Sequence, residues 1–365
     1  MTSTTSGIRE IPAQDWLREL RSTPSPDAIS LIVSASMEFT ERCNLRCAHC
    51  YINQPAGDEA IRARELSIKE WDRILGEMAD SGLLWLLVTG GECLLRPDFP
   101  EFYVSAKKRG LHITVFTNGT LLTPEIADLF VEYPPWNVEI TLYGATEQTY
   151  ECVTRVPGSY ARCLQGIRLL LDRGVSLALK MTVLDLNKAE LQAVEQLAAT
   201  FGTKFRSDAV LFSRLDGDHR GIAHRLTPEQ IVALESSDDR RLQGWEKECS
   251  KSLEGADRGR LFLCGAGRRT YHVSAYGDLS PCMLARWARY DLRHNPLSDA
   301  LKEFLPRVVG QMRTRRGTPC ETCEWMQLCP GCPGWAYCET GDPEMPGEFP
   351  CRVAQLRYQV LESRA

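Results

Sequence analysis

The chain has 365 residues, of which 43 are basic and 48 acidic, so its formal net charge is −5. A chain of this length exceeds what one hydrophobic core usually serves, so we expect one large domain and a smaller one. Its interspersed charges form no basic stripe, which argues against a nucleic-acid partner. The sequence shows neither a signal-peptide pattern nor a long apolar stretch, so we predict a cytoplasmic protein that does not span a membrane.

Fifteen cysteines are the most unusual part of the composition. Because the cytoplasm keeps thiols reduced, such a density indicates metal binding rather than disulfides. The positions of the cysteines along the predicted elements therefore decide which chemistry to expect.

The N-terminal extension, residues 1–30, is polar and contains Pro12, Pro24 and Pro26. It is too short for an independent peptide-recognition domain, and we expect at most one helix there. From residue 31 to 212, six short apolar runs alternate with longer amphipathic stretches, a pattern typical of βα units on a parallel sheet. The predicted strands are residues 31–37, 84–88, 112–116, 138–142, 177–183 and 205–211.

The helix predictions depend on start and stop signals. Ser67 and Glu70 form a capping box that opens a helix ending near Gly82, and Thr123 precedes another helix. Six βα units predict an α/β fold, a partial (β/α)6 TIM-like barrel. In βα barrels the chemistry lies at the C-terminal ends of the strands, so motifs there are candidates for the site.

A CxxxCxxC motif follows the end of the first predicted strand, with Cys43, Cys47 and Cys50 as its cysteines. Three thiolates can hold three irons of a four-iron cluster and leave the fourth iron open to bind a substrate. A structural zinc knuckle is the alternative, but such a site prefers four ligands. The motif therefore favours a radical enzyme.

The next strand ends carry polar motifs. Gly90 and Gly91 let the backbone approach a ligand closely, and Glu92 can accept hydrogen bonds from an ammonium group. Cys93, directly after them, is either a hydrogen-atom donor near the site or an inert core thiol. Asn118 offers a side-chain donor at the third strand end.

Residues 213–260 mix charged and small residues and look like a bridging segment, with a helix opening at Thr227. From residue 261 to 365 the cysteines return, and Gly277 with Asp278 predicts a hairpin turn. The cysteines of this region are Cys264, Cys282, Cys320, Cys323, Cys329, Cys332, Cys338 and Cys351. A zinc ribbon could use two CxxC pairs, but this number exceeds the needs of one zinc. Cys152 and Cys163 lie on a helical stretch and are expected in the core.

These motifs resemble the radical S-adenosylmethionine (SAM) superfamily, and the C-terminal third resembles its SPASM domain, a cysteine-rich iron–sulfur extension. The resemblance implies that Cys43, Cys47 and Cys50 hold the SAM-binding 4Fe–4S cluster. It places His49, where the family usually has Tyr or Phe, beside the adenine of SAM. The other implied cofactor-binding residues are Gly90, Gly91, Glu92, Asn118, Thr141, Lys180 and Arg206.

The same resemblance implies two auxiliary 4Fe–4S clusters. One would take Cys320, Cys323, Cys329 and Cys351, and the other Cys264, Cys282 and Cys332. The family pattern has three residues between its last two clustered cysteines, whereas this chain has two. The fourth ligand of the second auxiliary cluster thus stays open between Cys249, Cys338 and an unligated iron.

By this resemblance, the chain is a peptide maturase that cleaves SAM reductively to a 5′-deoxyadenosyl radical. It would oxidatively modify a ribosomally made peptide by a crosslink, a thioether, a carbon–carbon bond or an epimerisation. The expected partners are the precursor peptide, a flavodoxin- or ferredoxin-like electron donor and a separate peptide-recognition protein. The alternatives are a radical SAM enzyme acting on a tetrapyrrole-type small molecule or on a folded protein such as a sulfatase. A third alternative is a non-catalytic electron-transfer or zinc-binding protein.

Overall fold

The computed structural model describes residues 32–250, 258–315, 317–345 and 347–364. The N-terminal extension and its single expected helix lie outside these residues. Within the described chain, nine strands form one sheet and two very short strands form a second. In chain order the strands are β1 (Ser34–Glu38), β2 (Arg42–Cys43), β3 (Gln54–Pro55), β4 (Trp85–Thr89), β5 (His112–Thr117), β6 (Asn137–Thr141), β7 (Leu177–Thr182), β8 (Lys204–Asp208), β9 (Thr270–Val273), β10 (Asp278–Ser280) and β11 (Tyr290–Asp291).

The six predicted βα strands are confirmed as β1 and β4 to β8, all parallel to their neighbours. Their residues alternate between two faces. In β4, for example, Leu86 and Val88 are buried in the core, while Leu87 between them is half-buried. Because the side chains of a strand alternate between its two faces, a short apolar run places every second residue in the core. The partial barrel expected from the sequence is therefore the fold.

Helices cover the outer face of the sheet. The one from Ile68 to Asp80 begins with the predicted capping box of Ser67 and Glu70, and it buries Trp71. The α-helices are Glu59–Arg64, Ile68–Asp80, Phe99–Lys108, Pro124–Glu132, Glu147–Thr154, Ser159–Leu171, Leu191–Thr200, Pro228–Ser236, Asp239–Cys249, Leu297–Asp299, Pro333–Thr340 and Glu348–Glu362. The short 3-10 and π-helical turns are Cys93–Leu95, Lys188–Glu190, Arg220–His224, Ala300–Phe304, Arg307–Gln311 and Met326–Leu328. Among the described residues no helix combines the length and apolarity needed to cross a membrane.

One structural feature goes beyond the sequence prediction. β9 pairs in parallel with the free edge of β1, and β10 returns antiparallel beside β9. The predicted hairpin turn between them is confirmed, with Gly277 at a φ of 91°. The cysteine-rich region therefore continues the barrel sheet beside the strand that leads into the CxxxCxxC motif.

Cys152 and Cys163 were both expected in the core, and this prediction is right for one of them. Cys163 is buried in the core, but Cys152 is exposed. The helix Glu147–Thr154 turns Tyr150 and Val153 inward, and Cys152 falls on its opposite side. The amphipathic period of the helix, rather than the apolar character of the thiol, decides its exposure.

Candidate active site

A loop of residues 39–53, the cluster loop, leaves the C-terminal end of β1. Its base is fixed by Glu65, which accepts two hydrogen bonds from the guanidinium of Arg42, at 2.9 and 3.0 Å. Both side chains are at most 9% exposed. A shielded, bidentate pair of this kind orients the chain firmly, and it does so one residue before Cys43.

The cluster loop brings the three motif cysteines together, and all three are free thiols. The backbone N–H of Leu45 donates to the sulfur of Cys43 at 3.4 Å, and that of Asn53 donates to the sulfur of Cys50 at 3.3 Å. N–H donors aimed at sulfur stabilise the negative charge of a thiolate ligand. The donor set therefore fits an iron–sulfur cluster.

The motif thiols are buried, and this controls their protonation. Burial, reinforced by the Glu92 carboxylate, raises the pKa of Cys43 to about 12. Burial also raises the pKa of Cys47 and Cys50 above the ordinary value, with the neighbouring cysteines adding to the rise at Cys47. Metal binding at this loop would therefore displace protons from neutral thiols.

His49 lies in the same loop and is buried. Its Nδ1 is shielded and has no hydrogen-bond partner among the described residues. Burial, and secondarily His224, lowers the pKa of His49 to about 4, so the ring is neutral at physiological pH. The ring meets that of Tyr143 edge-on, with centroids 5.1 Å apart. A neutral, buried ring with an unpaired nitrogen fits a site for an uncharged aromatic ligand such as adenine.

Gly90 and Gly91 make a close approach, but the neighbour is the chain itself. A Cβ on Gly90 would collide with the carbonyl oxygen of Thr40, and one on Gly91 would lie 2.5 Å from the carbonyl oxygen of Glu41. The N–H of Gly91 donates to Thr40 O at 2.7 Å. The two glycines therefore let the end of β4 pack directly on the cluster loop.

Glu92 is fully buried and receives several internal hydrogen bonds. Its carboxylate accepts from the hydroxyl of Thr117 at 2.7 Å and from the backbone N–H of Asn118 at 2.8 Å. Burial raises the pKa of Glu92, although these donors oppose the rise. Glu92 thereby ties the end of β4 to the end of β5. Cys93 beside it is also fully buried, and burial raises its pKa well above the ordinary value, as expected of a neutral core thiol.

Asn118 reaches the cluster loop. Its side-chain amide donates to Asn44 Oδ1 at 2.9 Å and to the sulfur of Cys43 at 3.8 Å. Its own Oδ1 accepts from the backbone N–H of Thr120 at 2.9 Å, which fixes the orientation of the amide. The structure thus places this predicted cofactor residue against a predicted cluster ligand.

Thr141, Lys180 and Arg206 lie side by side in register on β6, β7 and β8. Lys180 Nζ lies 3.0 Å from the centre of the Phe116 ring and 3.9 Å from Glu139 Oε2. Arg206 pairs with the same Glu139 oxygen at 2.6 Å. The three predicted residues are brought together, and both cations meet a carboxylate that sequence reasoning missed. Glu139 lies two residues before Thr141, so the strand period was the signal that could have found it.

The bridging segment also belongs to the site. Arg214 donates to the carbonyl oxygen of Cys50 at 3.2 Å and to Asn53 Oδ1 at 3.0 Å. The N–H of Leu215 donates to Tyr51 O at 3.0 Å. This segment therefore covers the cluster loop. Its contacts are long-range, and no motif in the sequence marked them.

The C-terminal cysteines fall into two groups. In each group the thiols interact electrostatically with other thiols of the same group. The first group is Cys320, Cys323, Cys329 and Cys351, and the second is Cys264, Cys282, Cys332 and Cys338. Nowhere in the described residues do three or more His, Cys, Asp or Glu side chains form a group that could hold a single metal ion.

A buried ion pair joins the second cysteine group to the cluster loop. Arg286, four residues after Cys282, donates to both carboxylate oxygens of Glu38 at 2.5 Å and to Glu41 at 2.7 Å. Burial alone would raise the pKa of Glu38, but Arg286 and His272 outweigh it and hold the pKa below its ordinary value. The guanidinium therefore connects the end of β1 to the C-terminal region.

Comparison with known proteins agrees with this geometry. Residues 37–198 match the model of the radical SAM superfamily. The subtilosin biosynthesis protein AlbA of Bacillus subtilis is 26% identical over 345 residues, which cover 91% of this chain and 70% of that relative. The AdoMet-dependent heme synthase of Methanosarcina barkeri is 26% identical over 329 residues, covering 84% of this chain and 92% of the relative.

Among solved structures, Streptococcus suis SuiB bound to its precursor peptide SuiA aligns with a TM-score of 0.69. The alignment covers 96% of this chain and 84% of SuiB, at 14% identity. This likeness concerns the fold, and it extends through the barrel and the cysteine-rich region alike.

Proposed function

We propose that this chain oxidatively modifies a ribosomally made peptide, as a radical SAM enzyme whose residues 37–198 match the model of that superfamily. The family implies a 4Fe–4S cluster and SAM, which together supply a hydrogen-abstracting radical when bound. The protein's part is to hold, orient and shield these groups.

We assign Cys43, Cys47 and Cys50 as the ligands of the SAM-binding cluster. Leu45 and Asn53 donate backbone hydrogen bonds to two of these sulfurs. Arg214 fastens the segment that covers the loop, which limits the access of water and oxidants. Donors to the sulfurs raise the potential of the cluster and burial lowers it, so these contacts together set the potential.

We assign the SAM pocket to the space beside His49 and the neighbouring strand ends. The unpaired Nδ1 of His49 would accept or donate one hydrogen bond to the adenine. Thr141, Lys180 and Arg206 would face the ribose and carboxylate, and Glu92 the ammonium group. Because Glu139 already pairs with Lys180 and Arg206, a bound carboxylate would have to share these cations with it.

One observation carries the peptide hypothesis: Arg286, four residues after Cys282 of the second cysteine group, forms ion pairs with Glu38 and Glu41 at the cluster loop. This arrangement suits an enzyme that couples hydrogen abstraction to removal of an electron from the substrate. We therefore propose two auxiliary clusters at the two C-terminal groups. AlbA is named for bacteriocin biosynthesis and SuiB is solved with a precursor peptide, which supports a peptide substrate here.

Three further parts of the proposal concern partners and location. A flavodoxin- or ferredoxin-like protein would supply the electron, because the cluster needs a one-electron reductant of low potential. A separate protein would present the precursor peptide. A cytoplasmic location would keep the fifteen free thiols reduced.

The direct experiment incubates the anaerobic, reconstituted enzyme with SAM, a reductant and each short peptide found to be encoded beside its gene. Mass spectrometry of the peptide then gives the reaction. Loss of two hydrogens indicates a crosslink, whereas unchanged mass with deuterium uptake from heavy water indicates epimerisation. SAM cleavage that leaves every such peptide unaltered would count against a peptide substrate.

A tetrapyrrole substrate is the second candidate, since the alignment covers 92% of the AdoMet-dependent heme synthase. The same assay with an iron porphyrin in place of the peptide separates the two proposals. Conversion of the porphyrin, seen by absorbance and mass, would favour the heme-type reaction.

A further inference from the structure

We propose that Cys338 is the fourth thiolate ligand of the cluster held by Cys264, Cys282 and Cys332. This inference rests on the proposed auxiliary clusters and completes one of them. It makes this cluster fully ligated by protein, so none of its own irons would be left for a small ligand.

The helix Pro333–Thr340 holds both Cys332, at its N-cap, and Cys338. The Cys332 sulfur accepts the N–H of Trp335 at 3.4 Å. Cys338 lies on the same helix, and it is only 5% exposed. Two of the four thiols are therefore fixed by one rigid element.

This helix packs against the loop that follows Cys282. Gly334 and Cys338 are four residues apart and thus share a helix face. A Cβ on Gly334 would lie 2.5 Å from Leu284 Cβ, so this face presses on the loop that follows Cys282. The absence of a side chain at Gly334 lets the helix and the Cys282 loop come close enough for both thiols to meet.

The Cys338 thiol also interacts electrostatically with other thiols of its group. The Cys338 thiol interacts with Cys332 and Cys282, and Cys282 interacts in turn with Cys264. The guanidinium of Arg286 also interacts with the Cys338 thiol, and it would stabilise the negative charge of a cluster with four thiolates.

The other candidate, Cys249, lies elsewhere. It ends the helix Asp239–Cys249, and the hydroxyl of Tyr358 forms a hydrogen bond with it. Tyr358 also interacts with Cys323, which belongs to the other cysteine group. That group already has four members, so Cys249 is not needed there, and it serves as a matched control.

The experiment starts from a Cys43→Ala/Cys47→Ala/Cys50→Ala background, which retains only the auxiliary sites. After anaerobic reconstitution and gel filtration, we expect about eight irons per chain in this parent, four for each cluster. Adding Cys338→Ala should lower the content toward about four irons, or should give the EPR signal of a three-iron cluster after mild oxidation. Adding Cys249→Ala should change neither.

If Cys338→Ala does not fold, Cys338→Ser provides a second test. Cys338→Ser keeps the side-chain volume and offers an oxygen ligand, so it should retain iron but alter the Mössbauer spectrum of one cluster. Iron content and spectra that match the parent in both Cys338 variants would overturn the inference while leaving the auxiliary clusters intact. A parent without iron would overturn the auxiliary clusters themselves, and with them this ligand.

Discussion

The side-chain amide of Asn118 lies 3.8 Å from the sulfur of Cys43, at the point where the third barrel strand ends beside the cluster loop. The contact joins two motifs that are 75 residues apart in the chain. Since Glu92 and Thr120 hold the backbone and side chain of Asn118, the amide is oriented before any cluster binds. An oriented N–H donor of this kind tunes the potential of an iron–sulfur cluster.

We predict that Asn118→Ala lowers the reduction potential of the SAM-binding cluster. A hydrogen bond to the sulfur stabilises the reduced, more negative state, so its loss makes reduction harder. Asn118→Asp should lower the potential further, because a carboxylate replaces the donor. An EPR-monitored redox titration measures the shift, with Asn295→Ala on the surface as control. Equal potentials in the parent and both Asn118 variants would show that the contact has no electronic role.

Gly91→Ala should weaken the cluster loop. The added Cβ would lie 2.5 Å from Glu41 O, and the backbone on both sides is fixed by hydrogen bonds. We expect a cost of about 1–3 kcal/mol in unfolding free energy, as for overpacking elsewhere, with fewer irons retained. Gly244→Ala is the control, because a Cβ there meets nothing within 4 Å. Normal stability and iron content in Gly91→Ala would contradict the close approach.

Arg286→Met should destabilise the joint between barrel and C-terminal region. It leaves Glu38, which is fully buried, without its guanidinium partner. Breaking a buried pair on one side costs about 3–5 kcal/mol, measurable by urea unfolding of the anaerobic protein. The double variant Glu38→Gln/Arg286→Met should recover part of this loss. Arg289→Met changes a guanidinium that is 69% exposed, and should have little effect.

Because Lys180 is half-buried, we predict that the unfolding free energy depends on pH. Burial, strengthened by Arg206 and opposed by Glu139, lowers the pKa of Lys180 from 10.5 to about 7. Between these values the unfolded chain binds the proton more readily than the folded protein, so the unfolding free energy contributed by this site rises with pH. Lys180→Met should therefore stabilise the protein near pH 7, and its advantage should shrink toward pH 10. Thermal unfolding across this range is the measurement, and an advantage that grows with pH would have the wrong sign.

The sequence predicted the elements whose signals are local. The capping box at Ser67 and Glu70 opens its helix as expected, and the six parallel strands follow from their apolar runs. The three cysteines of the cluster loop come together because they lie in one short segment. Gly277 makes the predicted turn because its φ of 91° suits glycine.

The sequence did not predict the long-range contacts. The pairing of β9 with β1 joins segments more than 200 residues apart, and β-strand patterns do not specify partners. The packing of Gly90 and Gly91 against the carbonyl groups of the cluster loop was not foreseen, because it depends on how two separate segments fold together. The ion pair of Glu38 with Arg286 left no signal, because each residue alone reads as an ordinary surface charge.

The release of 5′-deoxyadenosine from SAM tests the central claim most directly. Under anaerobic, reducing conditions the reconstituted wild-type protein should form it, whereas Cys43→Ala, Cys47→Ala and Cys50→Ala should each abolish it. Cys320→Ala/Cys323→Ala should retain at least part of this cleavage while losing the modified substrate. A wild-type protein, fully loaded with iron, that forms no 5′-deoxyadenosine would contradict the account, as would undiminished cleavage in the three cluster-loop variants.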